Sequence, residues 1–179
     1  MQRYFVRKLQ VAGLLAAAFA AFWIYSEGIG YLFPPVSVQS AANNGIVGRA
    51  SVIDADTFEI HGQRIRLWGV DAPERAQLCH IDGEPWRRGQ HAALALSDPI
   101  GQQTVACIEQ GRDSYGRIVA QCSVAAQDIG GWLVSRGWAL DYAAHSRGAH
   151  SSHQASAASA KLGIWRGTFD KPWEWRRAN

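Results

Sequence analysis

Side chains that could hold a cation and a phosphate side by side are concentrated in one short stretch. From Ser51 to Glu74 the chain reads SVIDADTFEIHGQRIRLWGVDAPE, with Asp54, Asp56, Asp71 and Glu74 as acids and Arg66 among them. Carboxylate oxygens suit a hard cation. The planar fork of arginine suits phosphate, because it donates two parallel hydrogen bonds and stays charged. A second stretch, Asp113-Ser-Tyr-Gly-Arg117, adds a further guanidinium beside a glycine turn. The chemistry implied is that of a phosphodiester held next to a bound metal ion.

These residues lie far apart in sequence, so the elements around them must bring them together. Two apolar runs, Asp56-Thr-Phe-Glu-Ile and Arg64-Ile-Arg-Leu-Trp, flank His61-Gly62-Gln63. A glycine-containing turn between β-forming runs predicts a hairpin, whose closed geometry puts Asp54 and Asp56 near Asp71 and Glu74. Further strands are predicted over 46–53, 104–109 and 118–124. Helices are predicted over 87–98, ended by Pro99, and from an Asp128 cap to Gly137. A last helix is expected from Ser151 or Ser152 through Lys161 to Gly163. Five short strands with interspersed helices predict a mainly β, α+β domain, a small Greek-key barrel with helices packed on it.

The chain has 179 residues and a net charge of +3. Arg3, Arg7 and Lys8, against Glu27, account for +2 of it. Bulk charge therefore does not argue for a nucleic-acid partner, and such a claim must rest on the site. The same basic residues precede the uncharged run VAGLLAAAFAAFWIY, so residues 1–27 read as an apolar helix that is a signal anchor or a signal peptide. Residues 28–44 read as a linker, 45–168 as the folded domain and 169–179 as a Trp/Arg tail. Positive charges ahead of the apolar run place the domain outside the cytoplasm, tethered to the cell envelope or released into the periplasm or medium if the leader is cleaved.

Cysteine usage suits an oxidising compartment. Cys107 and Cys122 lie in two predicted strands joined by a loop and are expected to pair, leaving Cys79 over. The alternative is three buried free thiols. No Cys or His spacing points to zinc.

The motifs Asp54-Ala-Asp56-Thr57, Arg66-Leu-Trp-Gly-Val-Asp71-Ala-Pro73-Glu74 and Asp113-Ser-Tyr-Gly-Arg117 resemble those of the staphylococcal-nuclease-like (thermonuclease) family. Leu133-Val-Ser-Arg-Gly137 and Gly163-Ile-Trp165 follow in the same order. The resemblance implies a five-stranded OB-fold barrel with about three helices and a Ca²⁺-dependent endonuclease acting on DNA and RNA, leaving 3′-phosphate ends. It implies that Asp56, Asp71 and the Ala72 carbonyl bind Ca²⁺ and that Glu74 activates water. Arg66 and Arg117 would grip the phosphate, and Tyr115 and Tyr142 would contact substrate. The chain departs from the family pattern at Ala55, where glycine is usual, at Ala72, where threonine is usual, and at Ser114, where lysine is common.

Two rival readings stay open. One is a non-catalytic OB-fold module that binds nucleic acid or a protein; the other keeps the chemistry but uses Mg²⁺ or Mn²⁺. No protein partner is predicted. Trp132, Trp138 and Trp165 read as core. The tail either packs Trp173 and Trp175 onto the barrel or offers Arg176 and Arg177 to nucleic acid or lipid, and packing is preferred because paired exposed tryptophans are costly in water.

Overall fold

Alternation of apolar with polar side chains in the strands, with helical segments between and after them, sets the element order. The computed structural model describes residues 45–179, so the predicted leader and linker lie outside the described residues. The described residues form eleven strands: β1 (Gly45–Arg49), β2 (Ser51–Asp54), β3 (Thr57–Ile60), β4 (Gln63–Leu67), β5 (Val70–Asp71), β6 (Cys79–Ile81), β7 (Glu84–Trp86), β8 (Thr104–Arg112), β9 (Ile118–Val124), β10 (Gln127–Asp128) and β11 (Leu140–Asp141). The helices are α1 (Arg88–Ile100), α2 (Ile129–Ser135), α3 (Ala143–Ser146), α4 (Ser151–Ser159) and α5 (Pro172–Ala178). Among the described residues, no helix is long and apolar enough to cross a membrane.

The main sheet runs β1-β8-β9-β4-β3-β2, with β10 added to β9. Its first and last strands are separated only by Ala50, so one bent segment supplies both ends of the order and curls the sheet, as in an OB-like fold. The hairpin between β3 and β4 turns on His61 and Gly62, both at positive φ (52° and 77°). That is the conformation a two-residue turn needs to match strand twist. All pairings along the main path are antiparallel except β4 with β9, which is parallel and sets Arg66 opposite Val119. Ile65, Leu67, Ile118 and Ala120 turn inward to a core shared with Phe58, Ile60, Val105 and Leu133. The alternate residues of β4 and β9, Arg66 among them, therefore face outward on one side.

The Asp128 carboxylate accepts a hydrogen bond from Gly131 N at 2.6 Å and caps α2 as expected. α1 runs past Pro99 to Ile100 and stops at Gly101 (φ 42°); proline in a last turn ends a helix less sharply than a left-handed glycine. Among the described residues five α-helices appear where about three were expected: the additions are the four-residue α3 and the tail helix α5. Ala55, despite standing where the family favours glycine, is not among the residues with left-handed backbone, so it carries no such strain. Trp132 and Trp138 pack against the core.

Cys107 and Cys122 face each other in the β8/β9 register and are joined as a disulfide across 15 residues of sequence. A cross-link closing a loop of this size contributes about 3 kcal/mol in the chain-entropy model. Reduction, or the double substitution Cys107→Ala/Cys122→Ala, is expected to lower stability by roughly that amount, read as a lower urea midpoint. An unchanged midpoint would show that the bond adds nothing. Cys79 is buried and free, its thiol donating to the Thr168 carbonyl at 3.0 Å.

Candidate active site

The outward face of β4, the β2–β3 turn, the segment after β5 and the turn between β8 and β9 enclose an open cleft of about 770 Å³. Asp56, Arg66, Ala72, Glu74, Tyr115, Arg117 and Tyr142 all line it. Asp71 lies beneath the floor, fully buried.

The acids converge through their arginines. Arg66 Nη1 pairs with Asp56 Oδ2 at 2.9 Å and Nη2 with Asp71 Oδ1 at 2.6 Å, so one guanidinium bridges both aspartates. Asp56 Oδ2 also accepts from the Ala72 backbone N–H at 3.2 Å, and Thr57 Oγ1 donates to Asp56 Oδ1 at 3.0 Å. Burial works to lower the Arg66 pKa, but the charges of Asp56 and Asp71 and the Asp71 hydrogen bond outweigh it and leave it raised. This arginine is charged at every accessible pH.

Glu74 follows Pro73 on a turn in which Gln77 N donates to the Glu74 carbonyl at 2.9 Å. That carbonyl lies against the Cα of Gly89 in α1, where a Cβ would meet the backbone of Glu74 and Arg75. Backbone cannot rotate away as a flexible side chain can. Gly89→Ala is therefore expected to destabilise by about 1–3 kcal/mol and to lower any activity that depends on Glu74. A thermal midpoint equal to that of the parent chain would refute the close approach.

Arg117 comes from the turn before β9. Its Nε donates to Asp113 Oδ2 at 2.7 Å, and the two backbone amides Tyr115 N and Arg117 N donate to Asp113 Oδ1 at 3.0 and 2.9 Å. Desolvation pushes the Asp113 pKa up, yet the Arg117 and backbone hydrogen bonds pull it below the usual carboxylate value. Asp113 thus both shapes the turn and aims Arg117. Tyr115 is 84% exposed at the turn tip, with the Arg117 guanidinium 5.6 Å from its ring.

Tyr142 follows β11, whose pairing with β5 places it beside the acids. One side of its ring meets His145, with centroids 4.9 Å apart, and Trp173 of α5 lies 5.4 Å away. The preference for a packed tail agrees with this contact. The sequence offered Arg176 only as an alternative contact for nucleic acid or lipid; the structure instead pairs it with Asp71 and Glu74, each at 2.8 Å. Helical spacing puts Trp173 and Arg176, three apart, on one face of α5, but it carries no sign of which acids that face meets.

Every side-chain donor in the acidic group is a carboxylate oxygen, the set a hard divalent cation takes. The guanidinium of Arg176 spans Asp71 and Glu74 as a positive group among them. On both counts the residues fit such an ion. The carboxylates are turned onto guanidiniums, however, and among the described residues no three acids, histidines or cysteines already converge on a ligating point.

A family model described as staphylococcal nuclease homologue matches residues 64–167. Asp56 lies just before the matched stretch. The succinoglycan biosynthesis protein ExoI of Rhizobium meliloti (strain 1021) is 41% identical over 131 residues, covering 72% of this chain and 69% of that protein. The probable staphylococcal-like nuclease CAN1 of Oryza sativa subsp. japonica is 31% identical over 64% of this chain and 32% of its own length. The probable endonuclease LCL3 of Colletotrichum graminicola is 32% identical over 60% of this chain and 44% of its own. The chain thus spans less than half the length of the rice and fungal relatives.

Proposed function

Because the chain belongs to the staphylococcal nuclease homologue family, we propose that it is a Ca²⁺-dependent endonuclease cutting DNA, with RNA as a second substrate, and leaving 3′-phosphate ends. The observation that carries this reading is that Asp56, Glu74, Arg66 and Arg117 line one cleft. Asp56, Asp71 and the Ala72 carbonyl would hold the ion, an oxygen-only set. Bound there, Ca²⁺ would supply Lewis acidity and orient the phosphate.

The chain's own groups do the rest. Glu74, part-exposed at the cleft wall, takes the proton of the attacking water. The water oxygen bonds to phosphorus as the bond to the 5′-oxygen breaks; the 5′-oxygen takes a proton from solvent and leaves as a hydroxyl, with the phosphate kept on the 3′ side. Arg66 and Arg117 neutralise the charge that builds on the phosphoryl oxygens, a contribution realised mainly in the transition state. Tyr115 and Tyr142, both lining the cleft, contact the substrate beyond the scissile bond. The Cys107–Cys122 disulfide supports a site of action outside the cytoplasm, in the cell envelope or beyond it.

The test is incubation of the full chain with plasmid DNA and with RNA, with Ca²⁺, Mg²⁺, Mn²⁺ or chelator, followed by end-group analysis. Calcium-dependent cutting with 3′-phosphate products is expected. A folded preparation that binds DNA without cutting it under any of these conditions would mark a binding module instead.

A further inference from the structure

The C-terminal segment reaches the acids by a built path. Thr168 and His80 exchange backbone hydrogen bonds at 3.1 and 3.3 Å. Gln77 Nε2 and Arg88 Nη2 both donate to the Asp170 carbonyl, at 2.8 and 2.9 Å. Gln77 and Arg88 are themselves fully buried, and the Arg88 guanidinium lies 4.7 Å from the Phe169 ring. The segment between α4 and α5 is therefore clamped by Gln77, by His80 of β6 and by the start of α1. Pro172 then opens α5 at a position where its missing N–H costs nothing.

From that anchor α5 presents Trp173 to Tyr142 and, one turn on, Arg176 to the acids. Arg176 Nη1 donates to Asp71 Oδ1 at 3.1 Å and Glu74 Oε1 at 2.8 Å, while Nη2 donates to Asp71 Oδ2 at 2.8 Å. Both oxygens of Asp71 are thereby engaged, one of them also by Arg66. Asp56, Asp71 and Glu74 bring three negative charges, and Arg66 answers one of them. The remaining two match a divalent cation, and Arg176 supplies half of that. A guanidinium and a divalent ion on the same carboxylate repel each other at a separation where a buried setting screens little.

We propose that Arg176 is the residue that sets the divalent-cation affinity of this site, by competing with the ion for Asp71 and Glu74. This rests on the reading of those acids as the cation site. The ion binds Asp71 only in molecules whose Arg176 has left it, so apparent affinity falls by the fraction still docked. Since Trp173 shares a face with Arg176, undocking of α5 also uncovers the side of Tyr142 that Trp173 covers.

The test needs no substrate. Ca²⁺ binding to the full chain is measured by titration calorimetry for the parent, Arg176→Gln and Trp173→Ala. Arg176→Gln is expected to bind Ca²⁺ about 10- to 100-fold more tightly than the parent, as removal of a 90–99% docked competitor requires. Its melting point in chelator should fall, and Ca²⁺ should raise it by more than in the parent. Trp173→Ala weakens docking without touching the acids, so it should shift affinity the same way by a smaller factor. If Arg176→Gln does not fold, Trp173→Ala decides. Parent-like or weaker Ca²⁺ binding in the deciding variant, with the parent binding normally, overturns the competition and leaves the cation site standing. No Ca²⁺ binding by any of the three removes the cation site and this inference together.

Discussion

Glu74→Gln should abolish most of the cleavage rate, by about 10²–10⁴-fold, with substrate affinity nearly unchanged. The amide keeps the shape of the carboxyl group and its carbonyl oxygen still accepts from Arg176, but it cannot take a proton from water. Stability should barely respond. The Glu74–Arg176 pair is exposed on both sides, at 36% and 37% of side-chain area, and exposed pairs contribute about 0–1 kcal/mol. A loss of rate without a loss of binding or melting temperature is thus the signature of the proton-accepting role. Single-turnover cleavage with a parallel binding isotherm measures both. A variant cutting within a few-fold of the parent would remove Glu74 from the chemistry.

The two arginines should fail in different ways, because only one of them is also structural. Arg117 pairs with Asp113 where both side chains are part-exposed, at 29% and 17%. Arg117→Gln is therefore expected to cost about 10²–10³ in rate with at most about 1 kcal/mol of stability. Arg66 is mostly buried and bridges Asp71, whose side chain has no exposure, to Asp56 at 7%. Its removal leaves Asp56 without its ion pair and Asp71 with Arg176 alone, and breaking a buried pair typically costs about 3–5 kcal/mol. Arg66→Gln should thus lose rate and melt early, and Ca²⁺ should recover part of the lost stability, since a bound ion would replace the missing charge. Melting and cleavage measured together separate the cases. Equal destabilisation by both substitutions would contradict the difference in burial.

The site was legible in the sequence to the extent that its residues lie on local elements. Asp56, Arg66, Asp71 and Glu74 fall within nineteen consecutive residues, and a two-residue turn at His61-Gly62 leaves the chain little choice but to fold back between them. Cys107 and Cys122 were legible for the same reason, as opposing positions of one antiparallel pair. The β6–β7 hairpin was not, since Pro85 and the turn residues Asp82 and Gly83 mask a strand pair that is completed by the bridge from His80 to Thr168. Nor was the purpose of Arg88: a buried arginine makes sense only once the Asp170 carbonyl and the Phe169 ring lie against it.

Residue type, order and short-range periodicity determined the α+β class, the hairpin that gathers the acids and the pairing of two cysteines. Each depends on contacts a few residues apart, where backbone preference and side-chain pattern decide. Tertiary structure alone decided that β4 runs parallel to β9, which brings Arg66 and the turn carrying Arg117 to the same cleft. It also decided that Arg176, 105 residues beyond Asp71, comes to rest on that buried carboxylate. The physical reason is that a carboxylate in a low-dielectric interior takes whatever cation the packing brings within reach, and no local pattern in the chain records which one that will be.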